Sequence, residues 1–498
     1  MSAPEPSYQE LAALVAGLVA RVGTLESENA RLAAENAELR RRVGMNSTNS
    51  STPPSKDSIE AKAKRWADRS SRERSRDRKA GGQPGHQGSG LSPAVTPDRT
   101  ETLPPPGECG GCGGDLEDAA DVGMSWAQVW DILAVTLEKV HYLLPRRRCG
   151  CGKTTTATPP FGAAGTVTYG PNLNAAAILL ASEGNVPIER TAMLMEALLG
   201  VPVSAGFVAR ALQRLAQRLA AAGFDEAMKA ALRAQDVLCA DETPTNVISK
   251  NTDEHGQPLP GAPHAITVRT PDARLVYYAA MGSRSKTAIA GLGALEGYAG
   301  FLVRDDYAGW HQFDAQLAGV QQCAAHLIRH AKGVLELHPT HQNWAGEVIT
   351  VLREAAAAVT EAITDERDQL DPQLLADLRH RYDKAVAWGI TTNRHRNWSK
   401  GNHPGYNLAT RLADKADQVW TFTRNLAVPW TNNASEQALK GPKRHQAVSG
   451  YWHTLTTLAD YCRDRSYLIS ARNHGIRPIN AIHAALTGNP WLPTASTA

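Results

Sequence analysis

The first sustained pattern along the chain repeats every seven residues. Leu11, Leu18, Leu25, Leu32 and Leu39 recur at that interval, and Val15, Val22, Asn29, Asn36 and Val43 follow each leucine by four positions. This pattern predicts a leucine zipper over residues 8–44. Leu at one core position with Val or Asn at the other favours a parallel two-stranded coil, and paired buried Asn fixes the register at some cost in stability. Glu26, Glu28, Glu35, Arg31 and Arg40 keep the other faces wet. A lone amphipathic helix packed on its own protein is the competing reading, and five heptads with two core Asn argue against it. The pattern stops at residues 45–57, MNSTNSSTPPSKD, because Pro53 and Pro54 cannot continue a helix. Residues 45–100 are therefore expected to form a flexible basic linker, whose basic segment runs into the glycine-rich residues 81–90, GGQPGHQGSG.

Helical periodicity returns at Gly170. Within residues 168–224, the segments IERTAMLMEALLG and SAGFVARALQRLAQRL are joined by a short turn at residues 201–204, a spacing similar to a helix-turn-helix. Ser204 is placed to cap the second helix. Arg210, Gln213 and Arg214 fall on its polar side, where a recognition helix would meet a DNA groove. An ordinary helical hairpin has the same periodicity.

From Asp236 the period becomes two: DVLCADETPTNVI, HAITVRT and ARLVYYAA, then a helix SKTAIAGLGAL, then GFLVRDDY. Three strands, a helix and a further strand is the order of a ribonuclease-H-like core, whose first part is expected over residues 235–332 with its first and fourth strands side by side. Asp241 and Asp305 end the short apolar runs VLCA and FLVR. An Asp disfavours strand continuation, so something at the sheet edge needs a carboxylate there. Alternation places Val237, Cys239 and Asp241 on one face of the first strand, and Phe301, Val303 and Asp305 on one face of the fourth, with Asp306 opposite. If those faces match, Asp241 and Asp305 converge.

Residues 333–425 are expected to be a helical insertion, residues 426–475 the second part of the core, and residues 476–498 a C-terminal tail. The segment TNNASEQALK supplies a third acid, Glu436, with Lys440, Lys443 and Arg444 close behind as phosphate-binding candidates. Asn433 and Glu436 are also spaced as a capping box, which by itself would explain the glutamate. Three carboxylates suit two hard divalent cations, Mg²⁺ or Mn²⁺, about 3.5–4 Å apart, an arrangement that activates one phosphodiester oxygen and stabilises another.

Composition narrows the picture further. A 42% hydrophobic and 21% charged chain with no long apolar run excludes membrane insertion, and the first residues lack the basic flank and apolar core of a secretory signal, so an intracellular location is expected. The net charge of +3 says little, but nine Lys or Arg against three acids lie between Lys62 and Lys79, consistent with a solvated linker or one that also follows phosphates. Cys109 and Cys112 in ECGGCGG, and Cys149 and Cys151 in RRCGCGK, are spaced as halves of a structural zinc site in a module over residues 101–158, with His141 as an alternative to one sulfur. Cys239, Cys323 and Cys462 are scattered and are expected to be core residues. The fold class predicted is thus multidomain α+β: an N-terminal coiled coil, a zinc-binding module and a helix-turn-helix, then a ribonuclease-H-like α/β catalytic core with a helical insertion.

The ordered set NSTNSSTPPSKD, GGQPGHQGSGL, the paired cysteines, YGPNLNAAAILLA, ADETPTNV, VRDDYAGW, QQCAAHLIRHAKG and VPWTNNASEQALKGPKRHQAVSG resembles the insertion-sequence family 66 transposases, a DDE group of bacterial mobile elements. The resemblance implies that Asp241, Asp305 and Glu436 are the first, second and third catalytic acids. It further implies a cytoplasmic, nucleoid-associated enzyme that binds terminal inverted repeats on double-stranded DNA, cleaves strands and transfers them, acting as a homodimer or higher oligomer, with accessory proteins of the element as further partners. The chain departs from the commoner family pattern at Asp306, often Gly, at Thr431, often Asp, and at Gln437, often Arg, none of which removes a proposed ligand. Two rival readings are a transposase-derived DNA-binding regulator without catalysis, which an intact acidic triad disfavours, and a ribonuclease-H-like nuclease with other substrates, which the N-terminal modules disfavour.

Overall fold

The computed structural model describes residues 7–52, 56–62, 93–131, 137–160, 167–249, 257–258 and 261–494. Most of the basic run between Lys62 and Lys79, and the GGQPGHQGSG segment, lie outside the described residues. The chain divides into two units, Lys64–Leu137 and the remainder. In the smaller unit, an isolated antiparallel bridge between Glu108 and Asp115 closes a turn that carries Cys109 and Cys112.

The larger unit begins with α1, Tyr8–Gly44, capped by a Ser7–Glu10 capping box and burying none of its residues. Leu11, Leu18, Leu25, Leu32 and Leu39 are each about half exposed, so the heptad seam is unpartnered in the single chain. Past Gly44 the chain does not become a free linker. Ser47 bonds Asp57 through its backbone N–H and hydroxyl, and both residues are buried. The Asn and Ser residues expected to loosen this segment satisfy its backbone instead.

A short hairpin, β1 (Arg146–Arg148) and β2 (Thr154–Thr156), carries Cys149 and Cys151 in its turn. Four helices follow: α2 (Pro171–Ile178), α3 (Ile188–Leu199), α4 (Ala205–Ala221) and α5 (Phe224–Arg233). Helix α3 ends at Gly200, whose positive φ of 64° closes the C-cap, and Ser204 accepts the N–H of Phe207 to start α4.

The central sheet has the order β5-β4-β3-β6-β7, with β3 (Val237–Pro244), β4 (His264–Arg269), β5 (Val276–Met281), β6 (Phe301–Arg304) and β7 (Gly319–Gln322). The first three pair antiparallel; β6 and β7 add in parallel beside β3. The helix expected over SKTAIAGLGAL is only α6, Lys286–Ala290, cut short by Gly291 and by Gly293 with φ 66°. Beyond β7 come α7 (Ala324–Leu337), α8 (Asn343–Thr364), α9 (Pro372–Asn393) and α10 (Pro404–Asp414), then α11 (Asn433–Ala438), α12 (Lys440–Ser449), α13 (Leu455–Asn473) and α14 (Pro478–Leu486).

Period-two alternation splits the strands between two cores. Leu238, Ala240, Ile266 and Leu302 pack with α2, α4, α5, α13 and α14, whereas Val237, Cys239 and Val303 pack with the helices α7–α10. Residues 476–498, expected to be a tail, instead contribute the core side chains Ala481, Ile482 and Ala485, and Tyr467 donates its hydroxyl proton to the Ala481 carbonyl. The edge strand β5 is covered by α13, whose Ser466 and Ser470 hydroxyls accept the N–H groups of Tyr278 and Val276. The fold is a mixed α/β one. Among the described residues no helix is long and apolar enough to cross a membrane.

Candidate active site

The parallel pairing of β3 with β6 sets Val237 opposite Phe301 and Cys239 opposite Val303. Two residues further along each chain, the same register reaches Asp241 and Asp305. Both lie on the face that continues Val237, Cys239 and Val303 toward the α7–α10 helices. Asp305 stands just past the end of β6, its carboxylate accepting the Tyr307 N–H at 2.9 Å. Tyr307 is fixed in turn: its hydroxyl donates to the Arg284 carbonyl, and the Arg284 guanidinium lies 3.8 Å from its ring centroid. The Asp241 carboxylate accepts the Glu242 N–H at 2.9 Å.

Glu436 reaches the centre from α11. That helix is capped at Asn432 without a side-chain cap bond, so Asn433 and Glu436 do not form a capping box. Asn432 has another role. Its amide donates to the Ala240 carbonyl at 2.7 Å, and its backbone N–H donates to the Cys323 Sγ at 3.1 Å, which pins the start of α11 to β3 and α7. The Glu436 carboxylate then accepts from Arg329 at 2.9 Å and lies 3.7 Å from the His326 Nδ1.

Burial, followed by the charges of Glu242, Asp305 and Glu436, pushes the Asp241 carboxyl well above its ordinary range. Glu242 is raised to about 7 by burial and by Asp305, opposed by hydrogen bonding from Trp310 and by Arg284. The charges of Glu242, Asp305 and Glu436 all reach Asp241, and hard carboxylate oxygens are the donors a divalent cation takes, so the chemistry of the donor set fits divalent metal. Asp306 belongs elsewhere: Lys415, His311 at 3.1 Å, Gln322 at 3.3 Å and Arg411 at 3.7 Å surround its carboxylate.

Two contributions to the centre were not anticipated. One is Glu242, next to Asp241 in the ADET run. The other is the polar face of α7, where Cys323, His326, Arg329 and His330 follow at helical spacing. Burial and then Arg329 lower His326 to about 4; burial and then Arg411 do the same for His330, so both imidazoles are neutral near pH 7. Burial raises the Cys323 thiol to about 11. All three scattered cysteines are buried, as expected, yet Cys323 also groups with His326 and Glu436. The strap of residues 46–52 docks on this helix: Asn49 bonds Glu336 at 2.5 Å, Ser51 bonds the His330 Nε2 at 2.8 Å, and Arg411 contacts the His330 Nδ1 at 2.7 Å.

The other candidate residues are distributed around this centre. Lys440, Lys443 and Arg444 are exposed on α12, directly after the helix that carries Glu436. On α4, Arg210 and Gln213 are exposed, whereas Arg214 bonds Asn174 and stacks 5.6 Å from the Phe207 ring, so it is engaged in holding α2 and α4 together. Each cysteine pair lies in a tight turn. Backbone N–H groups of Gly111 and Cys112, then the Cys112 side chain, depress Cys109; the Cys151 backbone and side chain do the same for Cys149. Turns that stabilise thiolate in this way are suited to a soft metal.

The ends of β3 and β6 thus carry Asp241 and Asp305, and α11 carries Glu436 just before the exposed basic side chains of α12. By sequence comparison, the model of the Transposase IS66 family matches residues 166–459, and the chain belongs to that family. A family of unknown function (DUF6444) matches residues 2–92, which include α1 and the segment after it. No curated protein matches the chain.

Proposed function

We propose that this transposase binds the terminal inverted repeats of an insertion sequence and carries out metal-dependent strand cleavage and strand transfer at a centre formed by Asp241, Asp305 and Glu436. The observation that carries the reading is the register of β3 against β6, which continues to Asp241 beside Asp305, with Glu436 held toward them through Asn432. The sheet order, three antiparallel strands extended by two parallel ones on the β3 side, supports a ribonuclease-H-like core.

In this reading the three acids hold two Mg²⁺ or Mn²⁺ ions, which when bound activate the attacking oxygen and stabilise the leaving oxygen of a phosphodiester. The protein itself binds and orients. Tyr307 and Asn432 fix the carrier segments of two acids. Arg329, paired here with Glu436, is freed to meet a phosphate once that carboxylate has another partner. No covalent enzyme intermediate is required. Lys440, Lys443 and Arg444 bind further phosphates, and Arg210 and Gln213 form the exposed face of a helix-turn-helix. Zipper pairing through α1 makes the working form a homodimer or larger, and zinc on the cysteine turns stabilises the N-terminal recognition region.

The test is Mg²⁺-dependent cleavage of end DNA. Asp241→Asn, Asp305→Asn and Glu436→Gln are each expected to abolish cleavage while binding of end DNA persists. Wild-type protein that binds ends tightly but never cuts them under Mg²⁺ or Mn²⁺ would favour a regulator instead.

A further inference from the structure

Several buried polar atoms around the acids lack a hydrogen-bond partner, among them Thr267 Oγ1, Asn432 Oδ1, Ser435 Oγ and His326 Nδ1, and of these four groups the His326 imidazole is the common transition-metal ligand. Its Nδ1 has essentially no solvent exposure and no hydrogen-bond partner. A buried polar atom left so costs about 1–3 kcal/mol, and native proteins rarely keep one without a use. The nearest carboxylate oxygen, on Glu436, is 3.7 Å away. That is too long for a hydrogen bond. It does match two ligands of one cation: with metal–ligand bonds of about 2.1 Å, neighbouring ligands stand roughly 3 Å apart and opposite ones roughly 4 Å. The Cys323 Sγ also lies within 4.8 Å of both atoms, but it is fully enclosed and occupied by the Asn432 N–H, so it anchors α11 and does not complete a site.

We propose that His326 Nδ1 is a fourth protein ligand of the centre, sharing one divalent cation with Glu436. The inference rests on the reading of Asp241, Asp305 and Glu436 as metal-holding residues. Its consequence is selectivity. Mg²⁺ takes oxygen ligands and near-ideal octahedral geometry, whereas a nitrogen ligand suits first-row transition ions. The position held by Glu436 and His326 therefore prefers Mn²⁺, and the one held by carboxylates alone accepts Mg²⁺.

The deciding measurement is pulsed electron paramagnetic resonance on the full chain loaded with Mn²⁺. Wild type should show hyperfine coupling to a directly coordinated imidazole nitrogen. His326→Asn, similar in polarity and smaller in size, should lose that coupling while still binding Mn²⁺, with affinity by calorimetry lowered on the order of tenfold or more and Mg²⁺ affinity little changed. Absence of the nitrogen coupling in wild type, or its persistence in His326→Asn or His326→Ala, would overturn the proposal; the wild-type spectrum decides even if a variant misfolds. Asp241→Asn and Asp305→Asn separate this from failure of the underlying reading. If those two variants bind Mn²⁺ and cleave like wild type, the acids are not the metal centre. If they lose metal while wild type lacks the nitrogen signal, only the assignment of His326 is wrong.

Discussion

Asp306 is a neighbour of a proposed ligand that should behave as a structural residue, and replacing it separates folding from chemistry. In Asp306→Ala a carboxylate disappears from among Lys415, Arg411, His311 and Gln322. Asp306 is 19% exposed, and its cationic partners Lys415 and Arg411 are 24% and 29% exposed, so solvent screens them only in part. Charged hydrogen bonds contribute about 1.5–3 kcal/mol each. Discounting them for the remaining solvent and adding the repulsion between the two abandoned cations gives a loss of about 2–4 kcal/mol. In a unit of this size that is a fall in Tm of roughly 5 °C. Burial raises the Asp306 carboxyl, but Lys415, Arg411 and His311 outweigh it and hold the group below its ordinary value of 3.8. A depressed carboxyl contributes stability that is present above the unfolded value and is lost as pH falls through the folded one. The gap between wild type and Asp306→Ala should therefore be full at pH 7 and should close below about pH 4. Thermal unfolding across that range, with Mg²⁺-dependent cleavage measured well below Tm, checks both halves. Asp306→Ala should melt early and still cut; Asp305→Asn should melt no earlier than wild type, because a charge leaves a repulsive cluster, and should not cut. Wild-type stability in Asp306→Ala, or cleavage by Asp305→Asn and none by folded Asp306→Ala, would refute the reasoning.

Deleting residues 11–43 removes the whole apolar seam of α1 and leaves the docked strap, so light scattering should report monomers whose circular dichroism still indicates a folded catalytic unit. Cys112→Ser removes one sulfur ligand from its turn, and metal analysis should find less zinc per chain along with weaker binding of end DNA. Reversing Lys443 and Arg444 to Glu should weaken binding to DNA of any sequence and flatten its salt dependence by roughly 0.9 for each phosphate no longer neutralised, measured by anisotropy at two or more salt concentrations.

The acids were legible because a period-two pattern fixes faces regardless of the surroundings. Val237, Cys239 and Asp241 had to share a side, as did Phe301, Val303 and Asp305. The contribution of α7 was hidden by the same logic in reverse. QQCAAHLIRHAKG has an ordinary amphipathic period, and its Cys323, His326 and His330 become a polar stripe within the protein only once β7 delivers the helix beside β3 and α11. Composition misled at residues 46–52, where Ser and Asn suggested solvation but serve as local caps and as partners of α7. The tail expected over residues 476–498 was a further miss, since Pro478 occupies the first turn of a helix that buries Ala481, Ile482 and Ala485.

The strap also determines where force and position pass through the molecule. Gly333 sits directly beneath it, with the Asn49 carbonyl so near that a β-carbon would have no room, and the two backbones are seated without slack. The strap starts immediately after α1, a rod of 37 residues and therefore about 55 Å long. Tethered this tightly, the rod's end moves with the centre. In a parallel pair, as the heptads predict, both rods would end together and would bring the two proposed centres to the same mouth of the coil; reversing one rod would separate them by about that full length.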